Sequence, residues 1–168
     1  MPLKRTIEKA ERDKRQGKSA STQAGEFVRE EIDKIRHGEH GARSAKQAIA
    51  IGLSEARRAG VDLPPPARGQ TGERTRKSAK YAYQAGQGIR KLKRSKRRSR
   101  AATQALKREP RTTVSRKALS RQAQSAASRR TASQRAASAA KAVRTKGAAG
   151  RSAAAEKAAR KRKRRAGR

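Results

Sequence analysis

The distribution of charge along the chain constrains its folding more than any other feature. Residues 1–62 hold 14 basic and 10 acidic side chains, a balance of +4, whereas residues 63–168 hold 34 basic and 3 acidic ones, a balance of +31. A nearly neutral stretch can collapse onto itself, but a segment carrying that excess repels itself and calls for a polyanion. The sequence therefore reads as a small head followed by a long polycationic tail, and nucleic acid is the commonest large polyanion that such a tail meets.

Composition sets the size of the core. Only 32% of the 168 residues are apolar, many of them alanine, which buries little area. The three aromatics are Phe27, Tyr81 and Tyr83, and the large aliphatics cluster before Leu63. The expected fold class is mainly α: a small N-terminal helical hairpin of two to three helices, followed by a long disordered or loosely helical basic tail. With no cysteine, disulfides, thiolate metal sites and cysteine nucleophiles are excluded. The longest mostly apolar run, Ala48 to Leu53, is far short of the ~20 residues needed to cross a bilayer, and the first residues carry no apolar leader. The expected location is the cytoplasm and the nucleoid within it.

The head reads as helices. Lys4 to Gln16 forms a short solvated helix that stops at Gly17. Phe27, Val28, Ile32 and Ile35 recur with helical spacing from about Thr22 to His37, with Gly38 placed as a C-terminal stop. After a connection of about six residues, Ser44 and Gln47 make the S-x-x-Q pattern of a capping box. The helix they open carries Ala45, Ala48, Ile49, Gly52, Leu53 and Ala56, and Gly60 with Val61 supplies its end. Two such helices joined by a short loop favour an antiparallel hairpin, with Phe27, Val28, Ile32, Ile35, Ile49, Leu53 and Val61 as its core.

Pro64-Pro65-Pro66 closes the head, so the expected organisation is a head over 1–63, a Pro/Gly linker over 64–75, an additional helix over 76–92 and a low-complexity tail over 93–168. Tyr81, Tyr83, Ile89 and Leu92 would give the additional helix its apolar positions, weakened by Gly86 and Gly88. From Lys93 onward the residues are mostly Ala, Ser, Arg, Lys and Gln. The run Lys141 to Lys146 recurs in degenerate form at Lys157 to Arg162. Alanine and arginine favour helix while like charges at i,i+4 oppose it, so the tail is expected to be coil or nascent helix until a counter-charge arrives.

The candidate nucleic-acid contacts are the basic residues of this tail: Lys91, Lys93, Arg94, Lys96, Arg97, Arg98 and Arg100; Arg129 and Arg130; Lys141, Arg144, Lys146 and Arg151; and Lys157, Arg160, Lys161, Arg162, Lys163, Arg164 and Arg165. Duplex DNA carries one charge per ~1.7 Å of axis, so full engagement of a +31 tail would cover on the order of 50 Å. The chain has no asparagine and only ten scattered glutamines to aim at base edges, so phosphate contacts without sequence readout are expected. Tyr81 and Tyr83 are too few for the stacking platforms of single-strand binders, which favours duplex DNA over RNA, with RNA as the competing partner.

Other motifs lead elsewhere. His37, Glu39 and His40 could suggest a metal loop, but with no third histidine and no thiolate the stretch reads as a spacer, and no metal or cofactor is expected. Arg68-Gly69 and Gly150-Arg151 suggest a minor-groove hook only weakly, because the flanking prolines of such a hook are absent at 150 and arranged differently at 64–66. Glu26, Glu30, Glu31 and Asp33 are read as a solvated, salt-bridged helix face, and no catalytic grouping emerges.

The stretch Ser21-Thr22-Gln23-Ala24-Gly25-Glu26-Phe27-Val28-Arg29-Glu30-Glu31-Ile32, continued by His40 to Ser44, Lys46 to Ser54 and Arg57 to Gly60, resembles a family of small basic bacterial proteins of unassigned function. Thr145 to Ser152 adds to the likeness. The resemblance implies a bacterial cytoplasmic protein and brings no catalytic residues. The Ala/Lys/Arg-rich tail is similar in composition to those of histone H1 and bacterial H1-like nucleoid proteins. The leading expectation is therefore a nucleoid-associated DNA binder, not an enzyme. Two others stand beside it: an RNA or ribosome-associated protein, and an adaptor whose head helices bind a protein partner or a second copy while the tail tethers it to nucleic acid.

Overall fold

The computed structural model describes residues 2–91 and 95–166, with the side chains at 145, 146, 165 and 166 outside that description. Helix α2 (Ala20–His37) and helix α3 (Ala45–Arg58) form the most extensive helix pair, with α1 (Lys4–Arg15) packed on α2 and α4 (Glu73–Gly86) on α3. Ser44 accepts a bond from the Gln47 amide at 3.2 Å, and the Gln47 side chain accepts one from the Arg43 amide at 2.7 Å, so the expected cap opens α3. At Gly52 the two helices come so close that a Cβ would lie 2.7 Å from the Val28 Cα. A side chain there would push them apart.

Small residues make up much of the core. Phe27 and Ile35 are fully buried and Val61 nearly so, as the helical spacing predicts, but Val28, Ile32, Ile49 and Leu53 are only half-buried. Ala24, Ala42, Ala48 and Ala56 take the innermost places, which is how closely approaching helices fill the gap between them. One cluster gathers Ala10, Ala24, Phe27, Ala56 and Val61, and a second gathers Ile35, Ala42, Ala48 and Val114. Arg57, buried against the end of α3, donates to the carbonyls of Leu63 at 3.0 Å and Pro64 at 3.3 Å and so ties down the proline segment. The additional helix begins and ends earlier than 76–92. It buries Ala79 and Ala82 against α3, while Tyr83 donates to Asp62 at 2.7 Å; Leu92 lies outside the described residues.

The disordered or loosely helical tail is overturned. Beyond residue 95 the chain forms α5 (Lys96–Lys107), a single 3-10 turn (Thr112–Val114), α6 (Arg116–Ser128) and α7 (Ala132–Ala166). Two causes account for this. Local caps start the helices: Ser95 accepts from the Arg98 amide, Ser115 from the Ala118 amide and Thr131 from the Gln134 amide, ahead of alanine-rich runs with high helix propensity. A tertiary anchor adds to them, because Val114 is fully buried beneath the α2–α3 loop.

The anchor is held largely by the main chain. Gly41 donates to the Leu106 carbonyl at 2.9 Å and Ala42 to that of Pro110 at 3.2 Å. Thr113 donates to the Ala42 carbonyl at 2.9 Å and Arg36 to that of Val114 at 3.2 Å. Gly41 lies so close to the Glu109 carbonyl that no Cβ fits between them. The chain accordingly divides into two compact units, Met1–Gln122 and Ala123–Arg168, so that the folded unit extends far beyond a head ending at 63. In the second unit every side chain described is exposed, and α7 is broken into two helical arms at Gly147, whose φ of 64° suits glycine. No helix among the described residues is long and apolar enough to cross a membrane.

Candidate nucleic-acid interface

Each cation follows from the helix that carries it. Lys96, Arg97, Arg98 and Arg100 are exposed in the first turns of α5, and the 3.6-residue period puts Lys96, Arg97, Arg100 and Lys107 on one face. No acidic residue occupies that first turn, so cations crowd the positive end of the helix dipole, a placement that favours an external anion. Lys91 is exposed just after α4, beside Arg90, whose guanidinium lies 4.7 Å from the centre of the Tyr81 ring. Lys93 and Arg94 lie outside the described residues.

In the second unit Arg129 and Arg130 occupy the exposed turn before α7. Lys141, Arg144 and Lys146 are carried by its first arm, and Arg151, Lys157 and Arg160 to Arg165 by its second. Their spacing distributes them around the helix rather than along one stripe, so α7 presents positive charge in every direction. The Lys146 and Arg165 side chains are outside the description. Arg151 is partly committed to structure, since it donates to the Gly147 carbonyl at 3.1 Å beside the kink. Arg135 similarly donates to the Arg130 carbonyl at 3.1 Å.

The carboxylates of α2 do not form a solvated face. Glu30 and Glu31 are 6% and 2% exposed, because α1 and the loop after α2 cover them. Glu30 accepts from the Leu3 amide at 3.1 Å and pairs with Lys34. Burial would raise its pKa, but hydrogen bonds from Lys34, Thr6 and Leu3 together hold it below the usual carboxylate value. Lys34 is held above its own usual value: burial opposes its charge, and Glu30, Glu55 and Glu31 outweigh that cost. Glu31 is pushed up by burial, with the Glu55 charge adding to the effect and His40 opposing it from 3.6 Å. One oxygen each of Glu31 and Glu55 has no hydrogen-bond partner among the described residues. His37 meets the Asp33 carbonyl at 2.7 Å, so the two histidines face different partners and do not converge.

Sequence reasoning missed a second group of cations, Lys46 near the start of α3 and Arg121 on α6, which line one trough. No local pattern could have joined them, since the Val114 anchor brings their elements together.

Residues 3–67 match a family of unknown function, DUF6496, a stretch that contains α1, α2, α3 and the proline segment. Ile35, Ala42 and Ala48, which receive Val114, lie inside that match, and the valine itself lies beyond it. No curated protein and no solved structure matches the chain.

Proposed function

We propose that the protein binds duplex DNA without sequence preference, through its phosphate backbone, in a nucleoid-associated role like that of histone H1. The observation that supports this most is α7, which holds cations on all sides and a single carboxylate, Glu156, with every described side chain exposed. A helix that buries no face gains nothing from packing, and its like charges oppose it, so its natural complement is a polyanion that neutralises it along its length. Base readout is disfavoured by the absence of asparagine and the small number of scattered glutamines.

Titration of the full chain with duplex DNA at several salt concentrations tests the reading. A protein making 6–10 phosphate contacts loses roughly 10³–10⁵ in affinity between 50 and 200 mM salt, and scrambling the duplex sequence leaves affinity unchanged. Affinity insensitive to salt, or a marked preference for RNA of the same length, overturns it.

A further inference from the structure

The anchor that docks Val114 beneath the α2–α3 loop also places the first turns of α6 across an open trough from the start of α3. Ala45 and Ala118 line it together with Lys46, from α3, and Arg121, from α6. Both cations are exposed, and neither takes part in an ion pair among the described residues. No carboxylate lines the trough. Its two hydroxyls are already engaged, Thr113 donating to the Ala42 carbonyl and Ser44 accepting from the Gln47 amide. What remains for a ligand is a pair of cations from two elements, with the Gln122 amide and two alanines lining the same trough. Two cations and an amide donor suit one phosphodiester group.

We infer that this trough is a phosphate-backbone seat of the folded unit, so that the chain grips duplex DNA there as well as along α7. The inference rests on the DNA-binding reading and adds to it a defined site. It also assigns the anchor a purpose beyond stability, because releasing Val114 would separate the two cations.

The test compares two full-length double variants of equal charge, Lys46→Gln/Arg121→Gln in the trough and Lys14→Gln/Arg15→Gln at the exposed end of α1. Each is measured against a short DNA duplex over a range of salt. Each phosphate contact contributes ~0.9 to the slope of log affinity against log salt. With one phosphate seated there, the trough variant gives a slope shallower by about 0.9, which makes its loss between 50 and 200 mM salt roughly three- to fourfold smaller than that of the unaltered chain. The α1 variant keeps the original slope.

Equal slopes in the two variants overturn the seat, even while the unaltered chain binds DNA with steep salt dependence. If the unaltered chain shows no salt-dependent binding, the DNA reading itself fails, whatever the variants do. Repeating the pair in a chain with Arg160, Lys161, Arg162, Lys163 and Arg164 changed to Gln lowers the contribution of α7, and the trough variant again gives the shallower slope of the two. Equal slopes in that background also count against the seat. Both side chains are exposed, so unchanged thermal midpoints verify that folding is intact.

Discussion

The two units carry charge in different company. Met1–Gln122 has 33 basic and 12 acidic residues, Ala123–Arg168 has 15 and 1, yet the more informative comparison lies inside the first unit. Residues 95–122 hold ten basic residues and one acidic, a bias close to that of the second unit, and they nevertheless belong to the folded body. The difference is one buried valine and four hydrogen bonds to or from its surroundings. Charge density sets how strongly a segment seeks a polyanion, and an apolar anchor decides whether it seeks it from a fixed place.

The largest effect expected from breaking that contrast is at Phe27. Phe27→Ala empties the centre of the first unit and costs about 3–5 kcal/mol, seen as a fall in the chemical-denaturation midpoint. Unfolding of this kind leaves the α7 cations in place, so on the proposed function affinity for DNA at low salt is expected to fall far less than stability does.

A matched pair then tests the anchor directly. Val114→Ala removes two methyl groups from a fully buried site and costs about 2 kcal/mol. Val143→Ala makes the same chemical change on α7, where the side chain is 43% exposed, and stays within about 0.5 kcal/mol. Hydrogen exchange follows the same division. The Gly41 and Ala42 amides, bonded to Leu106 and Pro110, lose protection in Val114→Ala and keep it in Val143→Ala.

Much of the first unit was legible because its signals are local. The Ser44–Gln47 cap, the stops at Gly38 and Gly60 and the apolar spacing through Phe27 and Ile35 each lie within a few residues of the structure they specify. Val114 was not legible, since a lone valine among Arg, Thr and Ser acquires its meaning from a pocket more than sixty residues earlier in the chain. Alanine concealed the rest: Ala24 and Ala48 at the centre of the core look the same in sequence as the alanines of α7 in solvent. The buried state of Glu30 and Glu31 was hidden for a related reason, as charge on a helix reads as solvent exposure until another element covers it. The densest cation runs were visible as runs, whereas the Lys46–Arg121 pair exists only after folding.

Glu30 and Glu31 are neighbours whose ionisation affects stability in opposite senses. Glu30 titrates lower in the folded protein than in the unfolded chain, so its contribution is present above the unfolded pKa and lost as pH falls through the folded one. Glu31 titrates higher when folded, so its ionisation costs stability as pH rises through that raised value. Glu30→Gln is expected to lower stability at neutral pH by about 1–3 kcal/mol, with the deficit shrinking in acid. Glu31→Gln is expected to be neutral or stabilising by up to about 1 kcal/mol at neutral pH, with that gain vanishing in acid. Denaturation midpoints across the acidic range check both, and parallel curves for the two variants would contradict the assignment.

The smallest effect separates the units most cleanly, because it removes the same interaction from each. Ser44 caps α3 by accepting from the Gln47 amide, and Thr131 caps α7 by accepting from the Gln134 amide, both at 3.2 Å; in each case the glutamine side chain accepts in turn from a backbone amide at the cap, that of Arg43 or of Thr131. Replacing either residue by alanine costs its helix about 1 kcal/mol. In α3 that cost is shared by the whole core, so Ser44→Ala lowers the cooperative midpoint of the first unit. In α7 every described side chain is exposed, so Thr131→Ala leaves that midpoint unchanged and instead reduces the far-ultraviolet helical signal and speeds exchange over residues 132–146. On the proposed DNA-binding function, added duplex DNA is expected to restore the lost signal by neutralising the cations whose repulsion the cap helped to offset. A drop in the cooperative midpoint on Thr131→Ala would mean that α7 shares in the core after all, and the contrast between an anchored and an unanchored cationic segment would fall with it.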